Sequence, residues 1–144
     1  MFHCSLNDQY NCVFKVFLER KVQSKCYYTP MHRKGINVND VQPKDILCDF
    51  CGLPTWSLGD PCIEGHQGSI ICGACLASAY TSLVQSENGE QVEMPCRMCL
   101  EVREQPSWSG NFDPDATICL RCVRQSSTAL EKSTHWEWAK PTNP

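Results

Sequence analysis

Eight of the twelve cysteines form four Cys-x-x-Cys pairs, Cys48/Cys51, Cys72/Cys75, Cys96/Cys99 and Cys119/Cys122, separated by 20, 20 and 19 residues. A two-residue spacer lets both sulfurs of a tight turn face one ion about 2.3 Å away, and two such turns complete a tetrahedron. A thioredoxin-like dithiol needs a strand–helix–strand frame around a single pair, and no such alternation surrounds these four. The pairs therefore read as ligands of two structural Zn2+ ions. Ligation of the first pair with the second and the third with the fourth fits the even spacing. The cross-braced alternative stays open, although the histidine ligand of a RING and the basic cluster of a FYVE domain are both missing.

The chain has 144 residues, 42% apolar and 20% charged, the balance of a folded protein rather than a disordered one. No apolar run approaches the roughly 18 residues of a membrane span. Asp8 and its polar neighbours interrupt the N-terminus where a secretory leader needs a continuous apolar core. A cytoplasmic protein is expected, and there cysteines serve as metal ligands more often than as disulfides.

From Cys48 onward the chain repeats with a period near 48. Cys48, Cys51, Cys72 and Cys75 correspond to Cys96, Cys99, Cys119 and Cys122, and Ile71 and Leu76 to Ile118 and Val123. Pro54-Thr55-Trp56-Ser57 is echoed by Pro106-Ser107-Trp108-Ser109. In Cys48-Asp-Phe-Cys51-Gly52 the glycine permits the positive φ that turns backbone N–H groups toward sulfur. Leu100 stands at that place in unit two and predicts a strained or differently turned knuckle. The Gly-, Pro- and Trp-bearing loops read as β-hairpins carrying Trp56 and Trp108. After Cys72, the residues Leu76, Ala79, Tyr80, Leu83 and Val84 recur at helical spacing. Leu120, Val123 and Leu130 repeat the pattern more weakly, diluted by Ser126 and Ser127.

The expected fold is small, α+β and metal-stabilised, with two tandem treble-clef-like zinc modules of knuckle, β-hairpin and helix over residues 45–90 and 91–132. Residues 1–44 read as a poorly ordered extension with one short apolar run at 12–22, and residues 133–144 as a flexible tail. Units this small cannot rely on a hydrophobic core alone, and a finger-type zinc site contributes on the order of 10–16 kcal/mol. Each unit is therefore expected to fold on its own ion, so that Cys75→Ser unfolds the first and leaves the second metallated.

Cys48-Asp-Phe-Cys51-Gly52 and Ile71-Cys72-Gly-Ala-Cys75-Leu76 resemble the ClpX-type four-cysteine zinc-binding domain over residues 46–86. Ile118-Cys119-Leu-Arg-Cys122 continues the resemblance in unit two, with Leu100 replacing the glycine. The resemblance implies a domain that dimerises and recognises substrates or adaptors for an attached unfoldase. The sequence holds no Gly-x-x-x-x-Gly-Lys-[Ser/Thr] phosphate loop, so the module is implied and the unfoldase is not.

Function classes follow from the ligands and the charge. Four thiolates fill the coordination sphere of zinc and leave no position for water or substrate, so neither an enzyme nor a small-molecule substrate is expected. Glu64 and His66 beside Cys62 read as a solvated turn. The residues before Cys48 hold seven Lys/Arg and four Asp/Glu, whereas residues 48–144 hold six and twelve. Phosphate neutralisation supplies most non-specific nucleic-acid affinity, and this acidic surface opposes it. Nucleic-acid or transcription-associated binding is the alternative to the favoured role, a protein–protein interaction or adaptor module with a protein partner or a second copy. Trp56, Tyr80, Leu83 and Trp108 are the candidate partner-binding residues, since aromatic side chains anchor interfaces. Cys4, Cys12, Cys26 and Cys62 match no ligand spacing and read as free thiols.

Overall fold

The computed structural model describes residues 35–37 and 39–143. Most of the expected N-terminal extension, with the 12–22 run and Cys4, Cys12 and Cys26, lies outside the described residues.

Each unit opens on its first Cys-x-x-Cys turn. In unit one Gly52 N–H donates to Cys48 O at 2.8 Å and Cys48 N–H to Leu53 O at 2.9 Å. In unit two Leu100 N–H donates to Cys96 O at 2.7 Å and Cys96 N–H to Glu101 O at 2.9 Å. Both turns need a left-handed residue, and Gly52 and Leu100 supply it with φ +71° and +62°. Unit two thus makes the same turn, with an L side chain where the backbone favours glycine. Gly52 is held by a second constraint. A Cβ there would meet the Phe112 ring at 2.5 Å.

Unit one continues through a short helix α1 (Thr55–Leu58) and an antiparallel hairpin, β1 (Cys62–Glu64) and β2 (Ile70–Cys72). Trp56 therefore sits in α1, not in a hairpin as its echo of Trp108 suggested. Helix α2 (Gly73–Tyr80) follows at once and widens into a π-helical turn over Thr81–Gln85. Unit two has a three-stranded antiparallel sheet in the order β3 (Glu90–Gln91), β4 (Pro106–Ser109), β5 (Thr117–Cys119). Trp108 lies in β4 opposite Ile118, as expected. Helix α3 (Leu120–Glu131) completes the unit and is longer than α2. Its Ser126 and Ser127 are buried rather than facing solvent.

The two units share one core. Helix α2 packs against α3, and Phe50, Ile71, Leu76 and Leu83 pack in one cluster with Ile118, Val123 and Leu130. Leu83 is 3% exposed, so it is a core residue and not a partner-binding one. Tyr80 is half-buried against the same core. Reciprocal backbone bonds cross between the units. His66 N–H, in the β1–β2 turn, donates to Met98 O at 2.8 Å, and Phe112 N–H, in the β4–β5 loop, donates to Phe50 O at 3.4 Å. Phe50 and Met98 hold the same place in the two knuckles. The approach is so close that a Cβ on Gly110 would stand 2.0 Å from Phe50 O.

Residues 133–143, expected as a frayed tail, instead run back over unit one. Trp136 and Trp138 pack against the core, and Trp138 Nε1 donates to Gly73 O at 3.1 Å. Gln85 Nε2 donates to Pro141 O, and Lys140 pairs with Glu131 at 2.7 Å. The apolar body of an indole, with one N–H satisfied, suits such a half-buried position.

Candidate metal centres

The pairs of cysteines meet because the chain turns twice in each unit. A knuckle presents Cys48 and Cys51; the end of β2 and the first turn of α2 present Cys72 and Cys75. Unit two does the same with Cys96, Cys99, Cys119 and Cys122. In each group the four sulfurs lie within 4.8 Å of one another. The grouping is first pair with second and third with fourth, not cross-braced. Among the described residues these are the two groups of metal-ligating side chains gathered this closely.

The donor set fits a tetrahedral metal ion. Bonds of about 2.3 Å to four sulfurs place neighbouring sulfurs roughly 3.8 Å apart, and Cys51 Sγ stands 3.8 Å from Cys72 Sγ. Backbone N–H groups point at the sulfurs and favour their thiolate form. Phe50 N and Cys72 N donate to Cys48 Sγ, and Cys75 N to Cys72 Sγ, each at 3.4 Å. Cys119 N donates to Cys96 Sγ at 3.4 Å, repeating the Cys72–Cys48 contact. Cys72 and Cys119 also occupy the N-cap positions of α2 and α3, where the helix dipole favours negative charge.

The protons of the clusters report the same crowding. Hydrogen bonds from Cys72 and Cys75 pull Cys48 down to about 2, while Cys48 pushes Cys72 up to about 12 and Cys75 upward as well. In unit two hydrogen bonds from Cys122 and then Cys96 pull Cys119 down to about 2, and Cys119 pushes Cys96 up to about 12 and Cys122 upward. One sulfur in each group carries charge at the expense of its neighbours' acidity. A divalent cation is what allows all four to be thiolates together.

Charged side chains distinguish the two centres. Asp49 and Arg97 both follow the first cysteine of their knuckle, and their N–H groups donate to Ile70 O at 2.9 Å and Thr117 O at 2.7 Å. The Asp49 carboxylate accepts from Ile70 N at 2.7 Å. Burial raises its pKa to about 6, against the opposing pull of the Ile70 N–H and of Arg97. Arg97 is itself buried and donates to Asp113 Oδ2 at 2.9 Å. Arg103 stands beside Cys99, and its hydrogen bond to that thiol is the main cause that raises the guanidinium pKa. Of Arg97, Arg103, Arg121 and Arg124, two are thus engaged with carboxylates, Arg97 with Asp113 and Arg103 with Glu101.

Of the other residues singled out from the sequence, Trp56 is 48% exposed and Trp108 is half-buried with its ring 5.9 Å from that of Phe50. Glu64, at the end of β1, and His66, in the β1–β2 turn, are both exposed. Cys62 is a half-buried free thiol on β1. The sequence reading overlooked Leu53, Leu58 and Phe112, which are 61%, 67% and 50% exposed. All three line an open, mainly apolar groove of about 870 Å³ beside the first centre, together with Trp108 and Trp138. The signal available for them was that they are apolar residues outside any helical or strand period.

No family model matches the chain, and neither a curated protein nor a solved structure gives a significant match. No described helix is long and apolar enough to cross a membrane.

Proposed function

We propose that the chain is a two-zinc protein-interaction module, treble-clef in type, acting as an adaptor that holds an apolar segment of a protein partner. The carrying observation is the open groove beside the first four-cysteine group, with Leu53, Leu58 and Phe112 exposed along it. Large exposed apolar side chains gathered in one place mark interaction sites on soluble proteins. Zinc is the ion that suits four thiolates at tetrahedral spacing, and such a closed site is structural rather than catalytic. A reducing, cytoplasmic setting belongs to this reading, since it keeps eight thiols available as ligands.

The resemblance to the ClpX-type domain rests on the Cys-x-x-Cys-Gly and Ile-Cys-x-x-Cys motifs. In that family the domain dimerises. Here the two units already make a reciprocal contact with each other through Phe50 and Met98, which favours a different protein over a second copy as the groove's occupant. Nucleic-acid binding is the weaker reading, with residues 48–144 acidic and Arg97 and Arg103 already engaged.

The test is native mass spectrometry and peptide-array binding of the full chain beside a Leu53→Glu/Leu58→Glu variant. Two zinc ions in both proteins, with binding to apolar peptides in the wild type alone, supports the proposal. Equal binding by both proteins would remove the groove from it. A wild-type dimer dissolved by the same substitutions would assign the groove to a second copy. Salt-sensitive binding to random duplex DNA would favour the nucleic-acid reading.

A further inference from the structure

The first centre has a neighbour that the second lacks. In the β1–β2 hairpin Cys62 is directly opposite Cys72, a member of the first cysteine group. Gly65 N–H donates to Ser69 O and Gly73 N–H to Pro61 O, each at 2.7 Å. Those pairs flank the register as hydrogen-bonded positions, and Cys62 and Cys72 form a non-hydrogen-bonded pair between them. In such a pair the Cα atoms are about 4.5 Å apart and both side chains stand on the same face of the ribbon. That separation lies within the range of about 4.4–6.8 Å that a disulfide can bridge. Cys72, 5% exposed, lies in the wall of the open groove together with Cys51 and Cys75. In unit two the residue opposite Cys119 is Ser107, so the equivalent pair cannot form a disulfide.

We propose that Cys62 and Cys72 form an oxidation site, at which a hydroperoxide converts the cross-strand thiol pair into a disulfide and displaces the metal ion from the first centre only. The proposal rests on the reading of the four-cysteine groups as metal centres. The Cys72 thiolate attacks one oxygen of the peroxide; the O–O bond breaks, leaving Cys72 as the sulfenic acid and releasing an alkoxide or hydroxide that takes a proton from water. The Cys62 thiol then attacks the sulfenic sulfur. An S–S bond forms, the S–O bond breaks, and hydroxide leaves with the Cys62 proton as water. The two sulfurs lose two electrons and the peroxide gains them. Three thiolates remain at the first centre, and its ion passes to solvent. The cost of oxidation therefore falls on one module while the second keeps its full ligand set.

The experiment uses the full chain with Cys4, Cys12 and Cys26 replaced by Ser, loaded with zinc and treated with hydrogen peroxide. Native mass spectrometry counts ions, and peptide mapping locates disulfides. Two ions counted before peroxide is added establish the metal centres separately from the oxidation; fewer would overturn that reading itself. After treatment the expected result is loss of one ion together with a Cys62–Cys72 linked peptide. The Cys62→Ser variant keeps both ions at the same dose. The Ser107→Cys variant, which gives unit two the same cross-strand pair, loses the second ion as well. Loss of an ion from Cys62→Ser at the wild-type rate, or disulfides forming equally at Cys99 or Cys119 in the wild type, would overturn the proposal.

Discussion

Leu100 holds φ at +62° where Gly52, at the same place in the other knuckle, holds +71°. A left-handed backbone costs an L residue roughly 1–2 kcal/mol, while glycine loses part of that advantage through the freedom it has when unfolded. Leu100→Gly should therefore raise stability by up to about 1 kcal/mol. Gly52→Ala should lower it by about 1–3 kcal/mol, because the new methyl meets both the φ penalty and the Phe112 ring. Chemical denaturation of the zinc-loaded proteins measures both, and a stabilising Gly52→Ala would refute the account.

Because α2 and α3 share a core, the centres should be coupled. Cys75→Ser removes a site worth on the order of 10 kcal/mol, comparable with the whole stability of a small protein. The expected outcome is loss of the first ion alone, with the second retained but given up at a lower chelator concentration than in the wild type, followed by circular dichroism and native mass spectrometry under chelator titration. A second ion held as firmly as in the wild type would restore independent modules.

Asp49 supplies a pH dependence with a definite sign. Its carboxyl is 1% exposed, and burial raises its pKa from 3.8 to about 6. Between those values the folded protein holds a proton that the unfolded chain has released, so stability from this group falls as pH rises. Asp49→Asn keeps an acceptor for Ile70 N–H without the charge. The stability of Asp49→Asn relative to wild type should grow from about pH 4 to pH 6 and then level off, by up to about 3 kcal/mol at 1.36 kcal/mol per pH unit. A difference that is flat with pH would sink the assignment.

Trp138→Ala should destabilise the fold by roughly 1–3 kcal/mol, the lower range for a large side chain that is only half-buried. It removes the hydrogen bond to Gly73 O and the cover over the start of α2. Thermal melting of the zinc-loaded protein tests this, and an unchanged midpoint would mean that the C-terminal residues are not held there in solution.

What was legible in the sequence was local. Cysteine spacing fixes which sulfurs a tight turn can bring together, and the recurrence of Leu76, Ala79 and Leu83 marks one face of a helix. Neither tells what covers that face, so Leu83 read as a partner residue although it is buried in one cluster with Val123 and Leu130 of α3. Trp56 and Trp108 share a short motif but sit four residues apart relative to their cysteines, enough to put one in a helix and the other in a strand. Trp138 finds its acceptor 65 positions away, beyond any local pattern. The place of Cys62 depends on strand register, and a shift of one residue would turn it to the other face.

Asp49 and Arg97 occupy one position in two knuckles and carry opposite charges, with the arginine lowering the energy of the ionised carboxyl. Two copies of an identical chain, meeting across a two-fold axis, would have to present the same residue from both sides, acid to acid or base to base. Joining both halves in one polypeptide lifts that restriction. Each position near the axis can then vary without its counterpart, and this freedom lets a self-facing charge become an attractive pair and lets one metal centre acquire a neighbouring thiol that its twin never has.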